Sequence, residues 1–351
     1  MKTVVSVAVA ALVSLATPAL AQEPPRWSFA IHGGAGVIER DSLSPEQDAA
    51  YRASLTRALE AGSVILAAGG SGLDAVQAAI ELMEDDPLFN AGRGAVFTAA
   101  GRNELDAAVM NGADRTAGAV AGLTTTRHPI AAARAVMERS PHVMLIGEAA
   151  DRFAASVELE QVPPAFFFTE RRWQGLESAL RRQSLPVPAR PEGAPAAGSD
   201  TSAMIAPPLN EKKFGTVGAV ALDQAGNLVA GTSTGGMTAK QWGRVGDVPV
   251  IGAGTYASNE EGCAVSATGD GEYYIRASVA RDICARIADG ASGQVAGQAE
   301  VDDALALGGS GGVIVMDRAG TPAFAITTSG MYRGSVSSAQ PARVAIYADE
   351  E

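Results

Sequence analysis

The sequence predicts an α+β fold in which helices face two β-sheets. Three observations carry that prediction. Helical periodicity dominates the first half of the 351 residues, and short apolar runs bounded by turn residues dominate the second, with helices in both. A stretch rich in Pro, Ala, Gly and Ser, Ser184 to Asn210, separates the two textures. No internal repeat and no regular strand–helix alternation runs along the chain, which disfavours a regularly alternating parallel sheet. With 40 glycines, 19% charged and 5% aromatic residues, the composition is globular and suited to close backbone approaches. The net charge of −12 and the absence of a Lys/Arg stripe exclude a nucleic-acid surface.

Met1 to Ala21 reads as a leader, with Lys2, an apolar core from Val4 to Leu15, and Ala19-Leu20-Ala21 as the cleavage signal. The mature protein is therefore expected to be exported, periplasmic or secreted, with no membrane span. Trp27 to Ile31 is a strand running into His32-Gly33-Gly34-Ala35-Gly36. Ser44 to Ala68 is helical by period, with Leu55, Leu59, Val64 and Leu66 as its apolar positions, and Gly72 to Glu84 is a second helix. A turn-rich loop, Asp85 to Gly94, follows. Glu104 to Met110, Ala117 to Leu123 and Val143 to Ile146 are short strands; helices cover Pro129 to about Glu138, Glu148 to Leu159 and Glu170 to Arg182. Beyond the connector, strands are expected at Thr216 to Leu222, Leu228 to Thr232, Val250 to Gly254, Cys263 to Thr268, Val313 to Met316, Ala323 to Thr327 and Arg343 to Tyr347. Gly271 to Asp289 is the one strong helix there, with Ile275, Val279, Ile283 and Ile287 repeating at four. Cys263 and Cys284 are the only cysteines; one pair is no disulfide framework in a domain of this size, and two buried free thiols are expected.

The stretch Phe214-Gly215-Thr216-Val217-Gly218 joins the connector to a buried strand. A Gly-Thr step opening a strand is ordinary by itself. If the Gly215–Thr216 bond breaks, however, Thr216 gains an α-amine beside its hydroxyl, and an amine of pKa about 8 can take the hydroxyl proton. One residue then supplies nucleophile and base. The three histidines are not in ligand spacing and no Cys-x-x-Cys occurs, which argues against a catalytic zinc. Gly308 to Gly312 matches a Gly-x-Ser-x-Gly pattern but is followed by a strand, so it reads as a turn. Thr232-Ser233-Thr234-Gly235-Gly236-Met237 ends a strand in hydroxyls and glycines, Gly243-Arg244-Val245-Gly246-Asp247 offers a cation and an anion, and Thr268-Gly269 precedes a helix. Singly, each is more often a turn, a solvated ion pair or a helix cap. Together they supply a nucleophile, an oxyanion site and a zwitterion clamp.

These segments, with His32-Gly33-Gly34-Ala35-Gly36 and Phe89-Asn90-Ala91-Gly92-Arg93-Gly94, resemble in order and extent the plant-type asparaginase/isoaspartyl peptidase family of N-terminal nucleophile hydrolases. The resemblance implies a four-layer αββα sandwich. It implies self-cleavage before Thr216 into an α subunit, residues 22–215 with a flexible connector at 184–215, and a β subunit, 216–351, that together form one domain. Thr216 becomes the nucleophile, Thr234 its hydrogen-bond partner, and Thr268 with the Gly269 N–H the oxyanion hole. Arg244 takes the substrate α-carboxylate and Asp247 its α-ammonium, helped by the Gly269 carbonyl; Asn90 orders the site. No catalytic cofactor is implied. A structural sodium loop falls at the carbonyls of Met83, Glu84, Asp86, Phe89, Ala91 and Arg93, and the assembly is a dimer of αβ units. The implied activity is hydrolysis of β-aspartyl dipeptides and of L-asparagine. The alternatives are a glycosylasparaginase-type amidohydrolase and a non-catalytic aspartyl-binding protein. Two departures stand beside the clamp: Ala239 where many relatives have Asn, and Trp242 where they have a smaller or more polar residue.

Overall fold

The computed structural model describes residues 26–195 and 215–350. The leader and connector residues 196–214 lie outside them. In β1 (Ser28–Gly36) successive side chains take opposite faces: Phe29 and Ile31 enter one apolar cluster and Ala30 another. A bulge between His32 and Ala35 then inverts the alternation, so Ala35 joins Ala30. Gly34 sits inside the bulge at φ +105°, a conformation open to glycine. The strand thus continues through glycines that the sequence suggests should end it.

β5 (Val217–Leu222) repeats the division. Val217, Ala219 and Ala221 face the first cluster, and Val220 and Leu222 the second. Eight strands form one sheet in the order β12 (Arg343–Tyr347), β11 (Gly330–Ser337), β1, β5, β6 (Leu228–Thr234), β2 (Leu105–Asn111), β3 (Ala117–Leu123) and β4 (Met144–Ile146). Only the β3–β4 pair is parallel. A second sheet has the order β10 (Pro322–Ile326), β9 (Gly311–Asp317), β8 (Cys263–Gly269), β7 (Thr255–Ser258), all antiparallel.

Helices α1 (Pro45–Ala67), α2 (Gly72–Asp85) and α3 (Pro129–Arg139) cover the first cluster with Leu55, Leu59, Val76, Ile80 and Val136. α4 (Gly147–Ser156) packs beside β3 and β4. The opposite face of the large sheet meets the small sheet, and α7 (Val279–Ala288) and α8 (Gly293–Ala306) cover the far side with Ile283 and Val301. A third cluster gathers Phe97 and Phe168 around Trp173, Leu176 and Leu180 of α5 (Glu170–Arg182), the face its periodicity predicts. The mixed α and β content predicted from the sequence is present. Among the described residues no helix is long and apolar enough to cross a membrane.

Capping explains the sharp helix starts. Ser44 and Gln47 form a reciprocal box at α1, and Ser71, Thr169 and Ser292 cap α2, α5 and α8. Val64 of α1 points to solvent at 69% exposure, off the buried stripe assigned to it. The Val250–Gly254 segment is a turn and not a strand, with Gly252 at φ +95°. The helix expected over 271–289 is two helices, α6 (Gly271–Ala277) and α7, divided by Ser278 at φ 53°. The two corrections share a cause. The first N–H groups of α7, on Ala280 and Arg281, donate to the Ala253 and Gly252 carbonyls of that turn, at 3.1 and 2.8 Å. α8 buries Gly293, Ala296, Gly297 and Ala304 beside Val301, so it shows no aliphatic stripe to read. β11 contains two glycines and two serines and is made a strand by pairing on both sides, with β1 and β12. Cys263 and Cys284 are a disulfide rather than free thiols. Packing of α7 on β8 brings their Cα atoms to 5.6 Å, within bridging reach.

Candidate active site

The edge where β5 begins and β6 ends collects the hydroxyls. Val217 pairs with Ser233, which sets Thr216 beside Thr234, and their Oγ1 atoms lie 2.9 Å apart. Thr216 is buried at 8% exposure. The Gly236 N–H donates to Thr234 Oγ1 at 3.0 Å, which suits Thr234 to donate its own proton to Thr216. Asn90 ties this edge to the loop after α2. Its backbone N–H donates to the Gly215 carbonyl at 2.7 Å, its Nδ2 to the Gly236 carbonyl at 2.7 Å, and its Oδ1 accepts from Val96 N–H at 2.9 Å. The carbonyl of the Gly215–Thr216 bond is therefore held by a donor at its oxygen.

Behind Thr216 a polar chain runs between the sheets. His32, fully buried, approaches the Thr216 carbonyl through Nδ1 at 3.1 Å and Ser266 Oγ through Nε2 at 2.8 Å. A carbonyl only accepts, so Nδ1 carries the proton and Nε2 accepts from Ser266. Ser266 then accepts from Thr232 Oγ1 at 2.7 Å, and Thr232 from Thr255 Oγ1 at 2.7 Å. Burial pushes the imidazole down to about 3 against the hydrogen bond with Thr216, so it is neutral. A second buried node is Glu84, whose carboxylate accepts from Ile130 N–H at the start of α3 and from Ser233 Oγ, at 3.0 and 2.6 Å. Neither tie is visible in sequence, because the partners are 184 and 149 residues apart.

The charged pair stands beside this edge. A Cβ on Gly236 would lie 3.4 Å from Arg244 Nη1, and one on Gly271 would lie 2.7 Å from Asp247 Oδ1 and 3.0 Å from Arg244 Nη2. Arg244 and Asp247 thus flank Gly271, two residues past Gly269. Gly254 N–H donates to the Asp247 carbonyl at 3.1 Å and Ala267 N–H to the Gly254 carbonyl at 2.8 Å, which links the clamp to the end of β8. Hydrogen bonds join Thr216, Thr234, Gly236 and Asn90 at one edge, and Gly271, two residues past Gly269, stands against both Arg244 and Asp247. Among the described residues, Asp247 Oδ2 and Thr268 Oγ1 are buried without a hydrogen-bond partner, as are Asp106 Oδ2 and Tyr274 Oη. Buried polar groups are seldom left unpaired, so these atoms are open to a ligand. Burial pushes the Asp247 carboxyl up to about 7, and the charges of Glu272 and Asp106 add to it against Arg244.

Arg244 donates through Nε and Nη2 to both carboxylate oxygens of Glu272, at 2.8 Å each. Lys240 is buried, donates to the Glu104 carbonyl at 3.0 Å and stands 4.0 Å from Asp106 Oδ2. Trp242, the second departure beside the clamp, is 96% exposed with φ 55° and stands on the rim of a cleft of about 420 Å³ that Thr98, Arg102, Glu104 and Lys240 also line. Ala239 adopts φ 61°, the left-handed region that asparagine tolerates better, in keeping with the departure noted there. Ser310 of the Gly308–Gly312 turn is held by Asp270, its N–H and Oγ donating at 2.9 and 3.1 Å.

The family model described as Asparaginase matches residues 25–346. The isoaspartyl peptidase of Escherichia coli (strain K12) is 48% identical over 308 residues, 87% of this chain and 91% of that protein. The isoaspartyl peptidase of Salmonella typhimurium is 47% identical, covering 87% of this chain and 93% of its own. The isoaspartyl peptidase/L-asparaginase of Mus musculus is 39% identical, covering 83% and 82%.

Proposed function

This chain belongs to the asparaginase family, and from that premise we propose that it is a self-processing hydrolase of β-aspartyl dipeptides that also hydrolyses L-asparagine, with Thr216 as its N-terminal nucleophile. The observation that carries the reading is the 2.9 Å approach of Thr216 Oγ1 to Thr234 Oγ1, immediately before β5 begins. Self-cleavage begins as the Thr216 hydroxyl attacks the Gly215 carbonyl, whose oxygen the Asn90 N–H holds. The N–O acyl shift breaks the C–N bond, which frees the Thr216 amine and leaves Gly215 as an ester at Oγ1; water then hydrolyses that ester to free the hydroxyl and the Gly215 carboxylate. That amine then takes the Oγ1 proton as Oγ1 attacks the substrate β-carbonyl. The oxyanion forms against Thr268 Oγ1 and the Gly269 N–H, the proton passes to the leaving amine, and water releases aspartate from the acyl-enzyme. Arg244 holds the α-carboxylate and Asp247 the α-ammonium, the latter helped by the Gly269 carbonyl.

The proposed architecture is the four-layer αββα sandwich of N-terminal nucleophile hydrolases, supported by helices on the outer face of each of two stacked sheets. The chain divides at Gly215–Thr216 into α and β pieces of one domain, and the processed units pair as a dimer. A sodium ion fits the loop after α2. The helix ends at Asp85, and among the described residues no backbone N–H beyond it donates to the Met83 or Glu84 carbonyl. Those carbonyls, with Asp86, Phe89, Ala91 and Arg93, would hold a hard cation that keeps the Asn90 loop in place. The disulfide suits the oxidising compartment to which a leader would send the protein.

Both α-groups must be free, so the scissile bond hangs from the β-carbonyl. An α-linked Asp-Leu would leave Arg244 facing an amide in a half-closed site. The test is a denaturing gel followed by a release assay. Two fragments are expected, the smaller beginning Thr-Val-Gly-Ala, with isoaspartyl-leucine cleaved, L-asparagine cleaved more slowly and α-aspartyl-leucine untouched. A single uncut chain with no activity would leave the binding-protein alternative in its place. Equal cleavage of α- and β-linked dipeptides would overturn the clamp.

A further inference from the structure

We propose that Glu272 is a positioning residue that holds the Arg244–Asp247 clamp open, fixing the guanidinium by one edge so that its other edge meets the substrate α-carboxylate; this rests on the reading of Arg244 and Asp247 given above. The Glu272 carboxylate takes the Nε and Nη2 hydrogens of Arg244 in a two-pronged fork, 2.8 Å on each side. Three of the five guanidinium hydrogens remain, on Nη1 and the outer side of Nη2. Among the described residues Nη1 donates to no protein acceptor, and Cβ atoms on Gly246, Gly271 and Gly236 would stand 2.8, 3.0 and 3.4 Å from the terminal nitrogens. The head of Arg244 therefore stands in a slot walled by backbone. Its unspent edge lies between Gly236, which binds Thr234, and Gly271, which borders Asp247.

The strength of the ion pair does not explain it. Glu272 is 53% exposed, and a pair open to water on one side adds little to stability. What the pair opposes is collapse. Asp247 Oδ2 is buried and unpartnered beside a cation, and a long flexible arginine would otherwise swing onto it and neutralise both halves of the clamp. The Glu272 fork competes for the same cation from the far side. The charged and titratable groups facing Asp247 are Arg244, Glu272, Asp106 and Tyr274, so Glu272 also adds one of the two negative charges that hold its carboxyl up.

The test compares wild type, Glu272→Gln and Arg244→Lys on isoaspartyl-leucine, each processed to two fragments so that folding is established. Glu272→Gln is expected to raise KM on the order of tenfold with kcat within about twofold, since it disturbs binding and not the nucleophile. It should also move the acidic limb of kcat/KM to lower pH, which a purely structural role would not do. A wild-type KM and an unmoved limb in Glu272→Gln, beside a raised KM in Arg244→Lys, would overturn this proposal and leave the clamp standing. An unchanged KM in Arg244→Lys would instead overturn the clamp itself. Should Glu272→Gln fail to process, Glu272→Asp takes its place; a processed Asp variant with wild-type KM and limb would likewise overturn the proposal.

Discussion

Burial sets the Asp247 carboxyl against the fold that contains it. Desolvation, with Glu272 and Asp106 adding to it, pushes the group from 3.8 up to about 7, and Arg244 offsets only part of that. Between those values the native state holds a proton that the unfolded chain has released, so this group's contribution to stability falls as pH rises through the window and is lowest above pH 7. Asp247→Asn should therefore raise stability at pH 8 by at least about 1 kcal/mol and change it little at pH 4, as read by urea denaturation. The same substitution should abolish recognition of the substrate ammonium. In wild type, kcat/KM should decline as pH falls through about 7, because the ammonium needs the carboxylate. Equal stabilities at pH 8 would show that Asp247 is not under this strain. The hydroxyl pair predicts a different split. Thr216→Ala should stay whole and inactive, whereas Thr234→Ala should fold but process and turn over more slowly by on the order of 10²-fold, measured on a gel time course.

Short elements around the clamp follow from one another. The turn at Val250–Gly254 receives the first N–H groups of α7, and that docking requires the helix to break at Ser278, which adopts φ 53° and ψ 41°. Serine pays a steric penalty there that glycine does not. Ser278→Gly should accordingly raise stability by about 0.5–1 kcal/mol in thermal unfolding, and a loss would mean that the Ser278 side chain has a role not seen here. The same neighbourhood shows where sequence reading fails. α1, α2 and α5 are legible because caps and an apolar stripe agree, and α3 because Pro129 opens it. α8 is hidden because its buried face is mostly Gly and Ala, and β11 because pairing rather than composition makes it a strand. In the site, the hydroxyls and glycines at strand ends are legible, since their chemistry is local. The groups that hold them are not. His32 on the Thr216 carbonyl, Glu84 on Ser233 and Glu272 on Arg244 are long-range contacts that no spacing announces.

Across the whole molecule, the helix-rich and strand-rich halves of the sequence do not segregate into separate bodies. β1 lies between β11 and β5, and β2 lies against β6, so strands from before and after the Gly215–Thr216 bond alternate in one sheet. The only disulfide joins two residues that both follow that bond. Cutting the chain there leaves no covalent link between the pieces, yet neither piece keeps the eight-stranded sheet complete. Processing as proposed would change the order of the unfolding reaction. The uncut chain would melt from one chain to one chain, whereas each processed unit would melt into two chains that diffuse apart. Mass action then enters, and a hundredfold dilution shifts the balance of such a dissociating reaction by about 2.7 kcal/mol. The melting temperature of the processed protein should climb with its concentration more steeply than that of uncut Thr216→Ala, as calorimetry over a dilution series would show; parallel slopes would mean that the pieces never part. Once the chain is cut as proposed, dilution itself would act as a denaturant.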